Sequence, residues 1–140
     1  MNRALLTCIL PLAFCGCARG ADAVGRAADV EEVARVASPD SAVDAVLTRT
    51  NTHATADFVH RIYIVPRGER LNEGRGHELF RADHVDSLAV AWNAPRRLEV
   101  RYARARIFSF TNFWNSAAVR DYGYTVEIRL HPTRASQLRP

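Results

Sequence analysis

Residues 88–102 read Leu-Ala-Val-Ala-Trp-Asn-Ala-Pro-Arg-Arg-Leu-Glu-Val-Arg-Tyr. Leu88, Val90 and Trp92 alternate with small or polar neighbours, and Leu98, Val100 and Tyr102 resume the alternation after Asn93-Ala94-Pro95-Arg96. A period of two sends successive side chains to opposite faces of a strand. Proline suits the turn between them, because its fixed φ is preset for a bend and it has no N–H for a central ladder. The stretch is therefore a β-hairpin with one apolar and one polar face. Trp92, on the face of Leu88 and Val90, is expected to be buried against the Leu98–Tyr102 strand or against Tyr124–Leu130.

Outward from this hairpin the same period recurs. Ala42 to Thr50 is a strand candidate, and Phe58, His60, Ile62 and Ile64 alternate with Val59, Arg61, Tyr63 and Val65 until Pro66-Arg67-Gly68 ends the run. Tyr124, Val126, Ile128 and Leu130 share one face, Thr125, Glu127 and Arg129 the other, and Pro132 closes the strand. About six short strands with brief connections predict a mainly β domain over 30–140, either a single small antiparallel sheet or a β-sandwich. Val30 to Ala37 fits either a helix face or a strand. Residues 67–77, with Gly68, Gly74 and Gly76, form the longest loop, and 111–122 is irregular with room for a helical turn.

The N-terminus carries an address. Arg3 precedes an uncharged run from Ala4 to Phe14 that is too short to span a bilayer, which takes roughly 20 apolar residues, and fits the apolar core of a secretory signal. Phe14-Cys15-Gly16-Cys17 resembles a lipobox, with Gly16 in the small slot and Cys17 as the lipid acceptor; ordinary cleavage after Ala21-Asp22-Ala23 is the alternative. The organisation expected is a signal peptide over 1–16, a lipidated N-terminus and flexible tether over 17–29, and the β domain over 30–140. Resemblance to lipoproteins of Gram-negative bacteria, with Ala18 rather than a retention Asp after Cys17, implies the periplasmic face of the outer membrane. All three cysteines (Cys8, Cys15, Cys17) fall in the signal region, so the domain has no thiol for a disulfide, a metal or catalysis. The 19 basic residues, all arginine, exceed 15 acids for a net charge of +4. A GC-rich genome accounts for that bias, and an exported protein is not expected to meet nucleic acid.

Ser38-Pro39-Asp40-Ser41 followed by Ala45-Val46-Leu47 resembles the Ser-Pro-Asp-Gly turn and strand that opens blades of TolB-type β-propellers. One such motif cannot make a propeller, which needs typically four to eight blades. The order of motifs is more closely similar to a group of small uncharacterised bacterial secreted and lipoprotein domains. The matching residues are Ala54-Thr55-Ala56-Asp57-Phe58, Ile62 and Ile64, and Trp92 through Leu98, Val100 and Tyr102, so the likeness covers roughly 35–110. Ser41 stands where the motif has glycine, and Asn51-Thr52-His53 stands where a glycine is common. The resemblance implies a fold and is silent on chemistry.

No pattern carries catalysis. His53 and His60 are seven apart, as are His77 and His84 beside Asp83 and Asp86, and an odd spacing does not present two ligands on one strand face. Neither a metal nor any other cofactor is expected. No Gly-x-Ser-x-Gly elbow frames a nucleophile, Glu31-Glu32 reads as solvated charge, and Gly68, Gly74 and Gly76 lack the strand-to-helix setting of a phosphate loop.

One stretch stands out. Arg96, Arg97, Arg101, Arg104 and Arg106 run into Ile107, Phe108, Phe110, Phe113 and Trp114. Arginine forks grip carboxylates and phosphates, and arginine with aromatics is enriched in binding hot spots. Arg97, Arg101, Arg104, Arg106 and Trp114 are the candidate partner-binding residues, for an envelope protein or an anionic polymer. The same pattern arises without function when aromatics fill a core and arginines line its wet face. Between Tyr102 and Phe110 an uninterrupted strand would place arginines and aromatics together, so a turn or bulge at Ala103–Ala105 is expected, with Arg104 and Arg106 exposed. The functional expectation is a non-enzymatic periplasmic binding domain; a small envelope hydrolase and an inhibitor or immunity-type protein are the alternatives.

Overall fold

The computed structural model describes residues 30–51, 57–74 and 76–133. The expected signal and tether, and His53 with most of the Ala54–Phe58 segment, lie outside them. Among the described residues there are nine strands and no helix, so none is available to cross a membrane. The strands are β1 (Val30–Ala37), β2 (Val43–Thr50), β3 (Val59–Pro66), β4 (Glu78–Asp86), β5 (Ala89–Ala94), β6 (Arg97–Tyr102), β7 (Arg104–Phe110), β8 (Phe113–Trp114) and β9 (Val126–Pro132). They form two sheets, one ordered β1-β2-β3-β4-β7 and the other β5-β6-β9-β8, packed as a sandwich.

The alternation read from the sequence is the reason for this packing. Val43, Ala45, Leu47, Ile62 and Ile64 face inward from the first sheet, and Leu98, Val100, Val126 and Ile128 from the second, all under 5% exposed. Val30–Ala37 is a strand, paired antiparallel with β2. The hairpin quoted first is β5–β6, with Trp92 opposite Leu98 and Val90 opposite Val100. Trp92 is half-buried on the inner side, and its indole N–H donates to the Val36 carbonyl at 2.9 Å, tying the edge of one sheet to the other.

Three features depart from the sequence reading. First, β6 and β9 run parallel, Arg97 opposite Glu127 through Tyr102 opposite Pro132. Parallel neighbours need a crossover, and here the chain leaves for the other layer as β7 before returning. Second, β4 is a central strand that alternation did not reveal. Its pairing slips between Ile62 and Tyr63 of β3, between Arg81 and Ala82, and between Asp83 and Asp86, and each bulge shifts the inside–outside pattern. Third, 111–122 holds β8 and a run of turns rather than a helical turn, with Arg120, Asp121 and Tyr122 all at positive φ.

The Ser-Pro-Asp-Ser turn is built as its chemistry suggests. The Ser38 hydroxyl bonds Asp40 at 2.7 Å, and the Ala42 and Val43 N–H groups donate to Ser38 Oγ. Ser41 occupies the glycine slot at φ 57°, in the left-handed region that glycine adopts without strain. Buried Tyr124 locks the turn from across the molecule: its hydroxyl lies 2.8 Å from Asp40 Oδ2 and 2.7 Å from the Pro95 carbonyl, with the Arg96 and Arg120 guanidinium groups 4.7 and 5.5 Å from its ring.

Candidate functional site

The outer face of the five-stranded sheet is built in two different ways. Over β2 and β3 it is covered. Asp44, Val46, Thr48 and Tyr63 point away from the core yet are nearly inaccessible, because the 67–77 loop lies on them. Asp44 is the pin. It receives the Gly68 N–H at 3.0 Å, Arg67 at 2.5 Å and Arg35 at 3.3 Å. Burial alone would raise its carboxyl, but these three donors outweigh it and hold it below the usual range.

Over β4 and β7 the same face is bare. The chain bends at Ala103, whose N–H donates to the Asp86 carbonyl, and passes from one sheet into the other. The bend lies within the expected 103–105 window, but it does not turn the aromatics inward. Along β7, Arg104, Arg106, Phe108 and Phe110 are all exposed, while Ala105, Ile107 and Ser109 are half-buried. Phe108 is 50% exposed, with the Arg106 guanidinium 5.2 Å and the Arg81 guanidinium 5.8 Å from its ring centre. Phe108 and Arg81, with Val59 and Arg61, line a shallow cleft of about 300 Å³.

Each arginine on this face has an acid partner. Arg104 meets Asp86 at 2.6 Å, Arg61 meets Glu78 at 3.2 Å, and Arg81 lies 3.5 Å from Glu78. Arg106 grips both oxygens of Asp83, Nε at 2.7 Å. That bidentate pair, with help from His84, holds the Asp83 carboxyl down to about 2. The surface is thus aromatic and arginine-rich without being strongly cationic.

The five residues singled out from the sequence do not form one patch. Arg97 and Arg101 lie on the outer face of the other sheet, paired with Glu127 and Glu99. Arg104 and Arg106 lie on β7. Trp114 is not a surface residue at all: it is 5% exposed in the core, opposite Val126. The sequence run Arg96–Trp114 is contiguous in chain but divided by the crossing at Ala103. Arg81 and Asp83 were missed because β4 was missed. The signal for them is the acid pair Asp83 and Asp86 matching Arg106 and Arg104 across a strand pair.

Two further clefts flank the sandwich. One, about 400 Å³, is lined by Asp57, His84, Val85, Asp86 and Arg104. His84 sits at φ 49° in the β4 bulge, with Nδ1 3.0 Å from Asp83 and 3.7 Å from Asp57. Among the described residues its lining offers no hydroxyl or thiol. The other lies between the 67–77 loop and the 111–122 segment, where His77 and Asn115 approach buried Trp114. Among the described residues no three His, Cys, Asp or Glu side chains converge on a metal-sized point. No family model, no curated protein and no solved structure matches the chain.

Proposed function

We propose that the chain is an exported, lipid-anchored binding domain without catalytic chemistry of its own, held at the periplasmic face of the outer membrane through Cys17 and engaging an envelope protein with its β4–β7 face. One observation carries the reading: Phe108, half exposed, stands between the Arg81 and Arg106 guanidinium groups on a strand that ends its sheet. A large aromatic left in water between two arginines is costly in isolation and gains most when a partner covers it. The pairing of these arginines with Glu78, Asp83 and Asp86 leaves little net positive field, so an anionic polymer is the weaker fit and a protein the stronger.

The decisive experiment places a photo-cross-linking amino acid at Phe108 and, as control, at covered Val46, in the cells that make the protein. A cross-linked protein adduct from position 108 and none from 46 supports the reading; no adduct from 108 overturns it. If the captured protein is an envelope enzyme whose activity falls on binding, the domain is an inhibitor or immunity-type protein. For the anchor, Cys17→Ser should shift the chain to the soluble fraction or leave it unprocessed. An intact mass with an unmodified N-terminus at Val24 would overturn lipidation.

A hydrolase is the second reading, favoured only by His84, whose Nδ1 faces Asp83 and whose 60%-exposed ring borders an open cleft. Such a histidine could activate water with its other nitrogen. Hydrolysis of an envelope substrate that is lost in His84→Ala would establish it.

A further inference from the structure

The cleft between the 67–77 loop and the 111–122 segment has at its floor a polar group that the chain leaves unanswered. Trp114 is 5% exposed, and both lobes of the cleft are lined by it. Trp92 gives its indole N–H to the Val36 carbonyl, whereas that of Trp114 makes no hydrogen bond among the described residues. A buried indole usually finds an acceptor. Among the described residues the side-chain atom both sealed from solvent and without a partner is His60 Nδ1. Trp114 Nε1 therefore keeps an opening, and the cleft supplies it. We infer that this cleft binds a neutral saccharide, with the Trp114 N–H donating to one of its oxygens.

The walls carry matching groups. Asn72, His77 and Asn115 are exposed, line the cleft, and have side chains with no hydrogen bond among the described residues. An amide both donates and accepts, as a hydroxyl does, so two amides and an imidazole suit a ligand rimmed with hydroxyls. Phe113, 56% exposed, borders the smaller lobe. A sugar ring carries C–H groups on its faces, and these rest favourably on the electron-rich face of an aromatic ring. The lobes measure about 340 and about 160 Å³, the size of a small-ligand site.

Both walls are fixed before a ligand arrives. Trp114 and Val119 anchor the 111–122 segment in the core. On the loop side the Gly76 N–H donates to the Asn72 carbonyl at 2.7 Å, and a Cβ on Gly76 would meet Tyr63 at 3.1 Å. The missing side chain lets the loop seat this closely and sets Asn72 and His77 at the rim. Groups held in place beforehand lose less freedom on binding.

Other ligand classes fit less well. Glu69 and Arg70 line the cleft with opposite charges, so it does not select an anion. A peptide held by its backbone needs a strand edge, and the edge here is β8, two residues long. The cleft shares no residue with the one beside Phe108, so the saccharide site and the β4–β7 interface stand or fall separately.

Proton–nitrogen correlation NMR of the full chain reads this site directly, because its two tryptophans give two indole signals, assigned with Trp92→Phe. Maltose, cellobiose and diacetylchitobiose are the neutral probes, with glucuronate and trialanine as charged and peptide controls. Each is titrated to about 10 mM, well above a weak millimolar dissociation constant. At least one disaccharide is expected to shift the Trp114 signal to saturation while that of Trp92 stays. Asn72→Ala and Asn115→Ala, both at exposed positions, should each weaken that binding about fivefold, the loss of one hydrogen bond. No shift with any of the disaccharides overturns the proposal. So does a shift with glucuronate or trialanine alone, which would make the cleft an anion or a peptide site. Disaccharide binding that both variants leave at wild-type strength also overturns it, since the sugar would then sit elsewhere.

Discussion

Two halves of one sheet meet solvent differently. On the β1–β2–β3 side, the outer face lies under a loop pinned to a fully buried carboxylate, and the edge is tied to the other sheet by Trp92. On the β4–β7 side the outer face is bare, the edge is unpaired among the described residues, and Phe108 is half exposed. Both halves carry arginines paired with acids, so ion pairs do not distinguish them. The difference lies in what the pairs do. Asp44 gathers Arg35, Arg67 and Gly68 to close a surface, whereas Asp83 holds Arg106 beside the Phe108 ring and Asp86 pairs with exposed Arg104. Polar networks of similar composition thus read as structural in one half and as presentation in the other.

The covered half should lose most when its pin is removed. Asp44→Ala leaves Arg35, Arg67 and the Gly68 N–H without their shared acceptor. Breaking a buried ion pair by deleting one partner costs about 3 kcal/mol at the low end, the end appropriate here because both arginines keep some solvent. Urea unfolding should show that loss; a change under about 1 kcal/mol would mean that the loop does not depend on Asp44.

Trp92 comes next. It is half-buried and donates one hydrogen bond between the sheets, so truncation should fall below the ~3–5 kcal/mol of a fully buried tryptophan, at about 2 kcal/mol. Trp92→Phe keeps most of the packing but not the N–H, and should recover about half of that. If Trp92→Phe is as damaging as Trp92→Ala, the hydrogen bond rather than the packing joins the edges.

Acid separates the halves by pH. Burial, with Arg49 nearby, holds the His60 imidazole below its usual 6.5 on the covered side, and its Nδ1 is buried without a partner. The unfolded chain therefore takes up that proton first, and stability falls as the pH drops below about 6.5. Asp83, on the open side, is held down by Arg106 to about 2 against a usual 3.8, so its contribution is complete above about 4 and is lost between there and about 2. Melting temperature against pH should show both limbs. His60→Gln should abolish the upper limb and spare the lower, and Arg106→Gln should spare the upper and weaken the lower, leaving the share that Asp44 contributes.

The smallest effect on stability belongs to the open half. Phe108→Ala removes a half-exposed ring and two arginine contacts, and should change unfolding free energy by under about 1 kcal/mol while removing the association that uses this face. A loss of about 2 kcal/mol or more would make Phe108 a structural residue and dissolve the contrast between the halves.

Sequence alone determined a good deal of this protein. Strict alternation placed β3, the β5–β6 hairpin and β9 with their inward faces, and β2 as a strand without a face, because a period of two is a property of each strand and needs no neighbour. Proline and Ser-Pro-Asp chemistry likewise placed the turns at 95 and 38–41. Only the tertiary structure decided the rest. β4 escaped because its bulges arise from pairing with β3 and β7, and a slipped register scrambles the local pattern. The parallel β6–β9 pair escaped because strand direction depends on a crossing between layers, not on composition. Trp114 lies in the core and Phe108 in solvent although both are aromatics of the same run, since the Ala103 bend and the bulge beside Arg81 decide which way each points. Burial is a relation between segments distant in sequence, and a surface that presents Arg106 and Phe108 exists only once two such segments, β4 and β7, have paired.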